Sequence, residues 1–389
     1  DLIGFKHLMV AGASLFGLAS LAAGFSTGGA FLIAARVCQG LGAALIFPAT
    51  IAMIMIVFPK DERGRAIGIL AAIGTVFLAV GPMVGGFFTE LVSWRWIFWV
   101  NVPIVALIIW IVLTAWIDRS QKPSSGPFDY LGLITLVVGL AMVVFAVMQS
   151  SDWGWTHGLT LGFLVAGLMI LGWFVGIEAR RESPLLDIEL FRSASFAACN
   201  FVIFAGQFAK ITIVVIGALY LQEKLGMAPL TAGFALLVAV APFPVLSARV
   251  GGLADSYGAR RLVLGGLSLA TLSMGWIGLA ATWQSYAALV PGLLLWGVGM
   301  TGCYAPALRA MANAVPHEKQ GQTSGIGITS RMLGGTVGMA ICSSLLVTSG
   351  SFQLIFIVTA ATMLAALIFG WFAIERQDGE AIHHHPSTA

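Results

Sequence analysis

Arg36, Lys210 and Arg331 stand inside long runs of Leu, Ile, Val, Ala and Gly, where few charges occur at all. A cation buried in such a run costs ~3 kcal/mol on insertion scales, so each should turn toward protein and find a partner. Gln39, three residues beyond Arg36, shares its helical face and can offer a neutral hydrogen bond. Gly40 and Gly42 permit close helix approach. The alternative for Arg36 is structural, bonded to backbone carbonyls or packing the bundle. Lys210 lies near the middle of its run, too deep to snorkel to either surface. Its expected place is a central cavity, where it would bind an anionic group, repel cationic compounds, pair with a carboxylate or serve polar packing. No carboxylate from Asp61 to Glu375 falls near the centre of a run; Glu90, Asp129, Glu178 and Glu223 lie at ends or in connections. Such residues handle charge; they do not suggest bond making.

Other chemistries find no footing. The chain carries no G-x-x-x-x-G-K-[ST] loop, no H-E-x-x-H and no G-x-S-x-G. Cys38, Cys199, Cys303 and Cys342 are scattered singly, without ligand spacing, and read as small packing residues. His383, His384 and His385 belong to a polar tail. The chain is not read as an enzyme, and no cofactor or resident metal is implied.

The elements that must position these residues follow from composition. With 59% hydrophobic and 10% charged residues over 389 positions, the chain is a polytopic membrane protein, since soluble domains carry about a quarter charged residues. In lipid every backbone N–H and C=O must be satisfied within its own segment, so the apolar runs are expected to be helices. Twelve are expected: 8–25, 28–57, 67–89, 97–116, 130–149, 159–177, 196–221, 230–248, 262–281, 286–311, 324–347 and 352–374. Alternate connections hold Lys6; Lys60, Arg63 and Arg65; Arg119 and Lys122; Arg180, Arg181 and Arg192; Arg249, Arg260 and Arg261; Arg309 and Lys319; and Arg376. The opposite set holds only Arg95 and Lys224. The positive-inside rule makes the first set cytoplasmic and puts both termini there. The net charge of +3 is therefore mostly topology and gives no reason to expect a nucleic-acid partner.

The chain also repeats itself. Asp1, Gly4 and Lys6 return 254 positions later as Asp255, Gly258 and Arg260, and Pro59, Gly64 and Gly68 return 257 positions later as Pro316, Gly321 and Gly325. Two homologous halves are expected. The second carries two apolar spans ahead of Asp255 that have no counterpart ahead of Asp1, which points to about sixty residues lacking from the first.

Leu32-x-x-x-Arg36-x-x-Gln39-Gly40-x-Gly42-Ala43-Ala44 resembles the fourth-helix motif of the major facilitator superfamily, and the resemblance to that superfamily spans essentially the whole chain. Gly81-Pro82-x-x-Gly85-Gly86 resembles the antiporter motif of its drug exporters, with Phe77 where a leading glycine is usual. Trp94-Arg95-Trp96-Ile97-Phe98 followed by Asn101-Val102-Pro103 is similar to a signature of the fourteen-helix drug:proton antiporters. Gly251-x-Leu253-Ala254-Asp255-x-x-Gly258-x-Arg260-Arg261 resembles the cytoplasmic loop motif, and Asp1-x-x-Gly4-x-Lys6 the end of its first-half copy. The resemblance implies an all-α membrane fold of two pseudo-symmetric bundles: residues 1–116 as a four-helix N-terminal bundle, 117–195 as an extra central pair with linkers, 196–375 as a six-helix bundle and 376–389 as a cytoplasmic tail. The family's first two helices would be absent.

The resemblance further implies that Arg36, with Gln39 and Gly40, takes part in proton coupling. Gly81, Pro82, Gly85 and Gly86 would kink and seal the pathway. The loop motifs would act as an inner gate, with Asp255 near a helix N-terminus and paired to Arg260 or Arg261; a solvated cluster that only sets topology is the alternative. Arg331 resembles an arginine common at this point in the family and reads as structural or coupling. The acidic half of the coupling pair is expected on the lacking segment, leaving the chain as it stands unable to drive uphill transport. The function implied is an inner-membrane exporter that exchanges protons for hydrophobic or amphipathic compounds by rocking two bundles about a midplane pocket. A metabolite uptake carrier on the same fold and a non-transporting remnant are the rival readings. Small-molecule substrate, protons and the bilayer are the partners expected.

Overall fold

The computed structural model describes residues 4–59, 66, 70, 73–74, 77, 80–81, 83–116, 129–181, 184, 186, 188–243, 245–246, 250, 258–315 and 320–374, and every regular element among them is helical. In chain order these are α1 (Phe5–Gly24), α2 (Gly29–Val57), α3 (Met83–Val92), α4 (Trp96–Ala115), α5 (Tyr130–Trp153), α6 (Gly158–Glu178), α7 (Ala194–Glu223), α8 (Pro229–Val240), α9 (Ala259–Ala280), α10 (Tyr286–Asn313), α11 (Gln320–Ser349) and α12 (Phe352–Ala373). Ten are long and apolar enough to cross a membrane; α3 and α8 are shorter apolar helices. Those two fall where full spans are expected over 67–89 and 230–248, and parts of both ranges lie outside the described residues.

Polar residues start several helices by accepting otherwise unpaired N–H groups. Asp129 accepts from Gly132 N at 2.7 Å, Ser193 from Phe196 N at 3.3 Å and Ser351 from Leu354 N at 3.2 Å. Gly4 and Gly258, the repeated turn glycines, precede α1 and α9 with φ of +78° and +81°, a left-handed conformation that a side chain would strain. Within α7, Thr212–Ile216 forms a π-helical turn. There the Thr212 hydroxyl reaches the Phe208 carbonyl at 3.2 Å and the Thr359 hydroxyl of α12 at 3.0 Å.

Contacts divide the chain into two units, Asp1–Pro127 with Ala228–Phe234, and Phe128–Met227 with Ala235–Ala389. In the first, α1 packs on α2 and α4; in the second, α9 packs on α10 and α12. The same device makes both crossings. A Cβ on Gly42 would stand 2.8 Å from the Gly12 carbonyl, and a Cβ on Gly299 would stand 2.7 Å from the Gly266 carbonyl. Gly12 and Gly266 are 254 positions apart and Gly42 and Gly299 are 257 apart, the two offsets of the sequence repeat. Small residues that let backbones touch are the main adhesive between helices in lipid, where apolar area alone offers no drive. The helix pair α5 and α6, expected as a central insertion, groups with the second unit, where α5 packs on α11 and the Ser150 and Ser344 hydroxyls are 2.9 Å apart.

Candidate functional site

Arg36 projects from α2, about two turns after its start at Gly29. Its guanidinium donates to the Gln39 side-chain oxygen, and the Gln39 amide nitrogen donates onward to Ser20 of α1 at 2.6 Å. The Phe98 ring of α4 lies 5.8 Å from the guanidinium carbon. Gln39 and Ser20 are buried, while Arg36 itself is exposed. The buried partner expected for Arg36 is thus a neutral relay, and no carboxylate among the described residues forms an ion pair with it. Its charge is held in place by neutral groups that do not cancel it. Gly40 has nothing within 4 Å of the position a Cβ would take, so the close approach in this motif belongs to Gly42.

Phe98 links this cluster to the Trp94–Phe98 segment. Arg95 lies over the Trp94 ring at 4.6 Å and donates to the Ser26 carbonyl at 3.2 Å, and Trp99 occupies the space beside Gly24, where any Cβ would collide with its indole. The segment therefore clamps the end of α1 and sets the ring of Phe98 toward Arg36.

In the second unit Lys210 and Arg331 stand on the facing helices α7 and α11. Arg331 donates through Nε to the Gln207 side-chain oxygen at 3.4 Å and through Nη1 to the Tyr304 hydroxyl at 3.3 Å, with the Tyr304 ring 5.0 Å from its guanidinium carbon. Lys210 lies one turn beyond Gln207 on α7, within electrostatic range of Arg331. Gly334 and Gly338 of α11 bring the two helices together: a Cβ on Gly334 would stand 2.2 Å from the Phe204 carbonyl.

Of the glycine motif, Gly81, Gly85 and Gly86 are described and Pro82 lies outside the described residues. Only Gly86 is at a tight contact, 2.5 Å from the Pro229 carbonyl for an added Cβ; Gly81 and Gly85 meet nothing within 4 Å. One turn on, the Glu90 carboxylate accepts from Leu230 N at 3.1 Å.

Of the loop motifs, Asp1, Gly251 and Asp255 lie outside the described residues, so the expected pairing of Asp255 falls there too. Gly4, Lys6, Gly258 and Arg260 show a different use of charge. Lys6 donates to the carbonyls of Leu113 and Trp116 at 3.4 and 3.3 Å, at the end of α4, and Arg260 donates to the Trp371 carbonyl at 2.7 Å, near the end of α12. Cations complement the negative end of the helix dipole and its unpaired carbonyls.

Sequence reading missed a further cluster, where α5 begins and α6 ends. Buried Asp129 forms a salt bridge with Arg181, and buried Glu178 accepts from Leu186 N at 2.9 Å. A Cβ on Gly132 would collide with oxygens of both carboxyls. Burial alone pushes the Asp129 carboxyl up, but the Gly132 N–H, the Glu178 side chain and Arg181 outweigh it and hold it below the ordinary value of 3.8. The signal available was the acid–base pair at the ends of two adjacent runs.

Ten helices long and apolar enough to cross a membrane, with every regular element among the described residues helical, define a multi-pass helical membrane protein. The family model described as Major Facilitator Superfamily matches residues 1–181 and 196–388, and the chain belongs to that superfamily. Among its relatives, the multidrug resistance protein Stp of Mycobacterium tuberculosis is 33% identical over 347 residues, 89% of this chain and 64% of that protein. The methyl viologen resistance protein SmvA of Salmonella typhimurium is 30% identical over 90% of this chain and 71% of its own length. The lincomycin resistance protein LmrB of Listeria monocytogenes is 28% identical over 84% and 69%. The chain thus spans less than two thirds of the length of the first of these. A solved transporter of the POT family in complex with a thioalcohol-conjugated peptide matches with a TM-score of 0.68 at 14% identity, over 94% of this chain and 80% of the other, a likeness of fold.

Proposed function

We propose that the chain acts as a proton-coupled exporter of hydrophobic and amphipathic compounds, of the fourteen-helix drug:proton antiporter type, working by alternating access in an inner membrane with both termini cytoplasmic. The observation that carries this reading is the Arg36–Gln39–Ser20 relay under Phe98, a permanently charged group tied by buried neutral side chains to an apolar helix pair. Guanidinium does not lose its proton in proteins, so Arg36 would not carry the proton itself. It would supply the charge against which a carboxylate or a substrate gains and loses one. Relatives named for resistance to chemically unlike compounds support export of several compounds over uptake of one metabolite.

In this reading the close approach at Gly86 governs leak, and the clasps made by Lys6 and Arg260 hold helix ends that shift between states. Expression of the full-length gene in a susceptible host tests it: resistance should rise across several dyes and drugs, collapse when the proton gradient is dissipated, and be absent in Arg36→Ala at equal protein level. Substrate accumulation inside the cells, or resistance indifferent to the gradient, would overturn it.

A further inference from the structure

Three helices of the second unit bring Lys210, Arg331, Gln207 and Tyr304 together, and among the described residues no carboxylate forms an ion pair with the cluster. Lys210 is 16 residues from the start of α7 and 13 from its end, so at ~1.5 Å per residue it is roughly 20 Å or more from either terminus. Among the described residues its ammonium has no hydrogen-bond or ion-pair partner, and Arg331 is bonded only to the neutral Gln207 and Tyr304. The carboxylates described for this unit are Asp129, Asp152, Glu178, Glu189 and Glu223, all at helix ends or in connections. Two like charges kept this near each other at such depth repel, and each is costly alone. An arrangement of this kind is stable when a third, negative group enters.

We infer that Lys210 and Arg331 form a binding subsite for the anionic group of an organic substrate, a carboxylate or sulfonate on an apolar body. This rests on the exporter reading and narrows its substrates. The guanidinium of Arg331 is oriented by Gln207 on one edge and Tyr304 on another, which fixes its plane for a forked contact with a two-oxygen anion. Lys210 then supplies a point charge from the adjoining helix. Phe204, one turn before Gln207 on the same helix and stacked on Phe201 at 6.1 Å, gives apolar surface near the charges. The close crossing at Gly334 and Gly338 keeps α7 and α11 from spreading, so the two charges cannot relax apart.

The full chain in phosphatidylcholine nanodiscs, titrated by fluorescence anisotropy with fluorescein and separately with rhodamine 6G, tests this, since the two dyes share a xanthene skeleton and differ in charge. Fluorescein should bind, Lys210→Gln should weaken it about tenfold or more, and Lys210→Arg should restore most of the affinity; rhodamine 6G should bind Lys210→Gln as well as or better than the wild type. Equal fluorescein affinity in wild type and Lys210→Gln overturns the subsite, as does an equal loss in Lys210→Arg, which would mark a packing role. A chain that binds rhodamine 6G but not fluorescein overturns the subsite and leaves the exporter reading standing; one that binds neither dye counts against both.

Discussion

The α1–α2 crossing and the α9–α10 crossing are the same construction filled with opposite chemistry. In each, paired glycines let the backbones touch, Gly12 with Gly42 and Gly266 with Gly299. At the repeat offsets of 254 and 257, however, Ser20, Arg36 and Gln39 correspond to Met274, Leu293 and Trp296. The second set is 0%, 4% and 1% exposed and apolar apart from the indole N–H, with Trp296 packed on Phe243 at 5.6 Å. One crossing is a sealed joint; the other carries a relay ending in an exposed cation. The frame is set by glycines common to both halves, and the polar relay by three side chains present in one.

Exchanging the chemistry should expose the difference. Leu293→Arg places a cation in a sealed joint where Met274 and Trp296 stand in place of the Ser and Gln that receive Arg36, at a cost of ~3 kcal/mol or more; folded protein in the membrane should fall sharply, and recovery at wild-type level would mean the second joint is not sealed. Arg36→Ala should do the reverse, removing resistance at least tenfold while the melting temperature of the purified protein moves by only a few degrees. A large melting loss without loss of transport would make Arg36 a packing residue.

Gly42→Ala and Gly299→Ala test what the joints share. Each adds a methyl group under 3.0 Å from backbone, so each should destabilise by about 1–3 kcal/mol in thermal unfolding, and by similar amounts. Within the antiporter motif the same logic separates neighbours: Gly86→Ala should perturb transport, and Gly85→Ala, with open space beside it, should not.

The smallest effect lies at Asp129. Arg181 is 36% exposed in its side chain, so Arg181→Ala should cost about 1 kcal/mol or less at neutral pH. Because the folded Asp129 pKa is lowered, its ion pair stabilises above the ordinary value of 3.8 and is lost as pH falls through the lower folded value. The difference in melting between wild type and Arg181→Ala should therefore be constant from pH 7 to about 5 and shrink below about 4.

The helical membrane fold was legible because an apolar run long enough to span lipid has few other solutions. Starts and ends of α1, α2 and α12 fall within a few residues of expectation, whereas α3 and α8 emerge as shorter helices. Arg36 and Gln39 were legible as a pair because three residues along one helix is local geometry. Ser20 and Phe98 were not, since which residue of another helix faces Arg36 depends on how helices are rotated about their axes. The same limit hid the placing of Lys210 and Arg331 on the facing helices α7 and α11, and the use of Lys6 and Arg260 on helix-end carbonyls. The glycine joints were within reach, since Gly12 and Gly266 obey the offset already seen at Gly4 and Gly258.

The π turn at Thr212–Ile216 holds one residue more than an α-helix would use for the same path. Were the same residues to run on as a regular α-helix, everything on one side of the turn would swing by about 100° relative to the other. Lys210 stands just before that turn, while Tyr220 beyond it is anchored to the Ala281 carbonyl at 2.7 Å. The extra residue thus works as an angular spacer: it decides which way the ammonium looks without altering any residue that surrounds it.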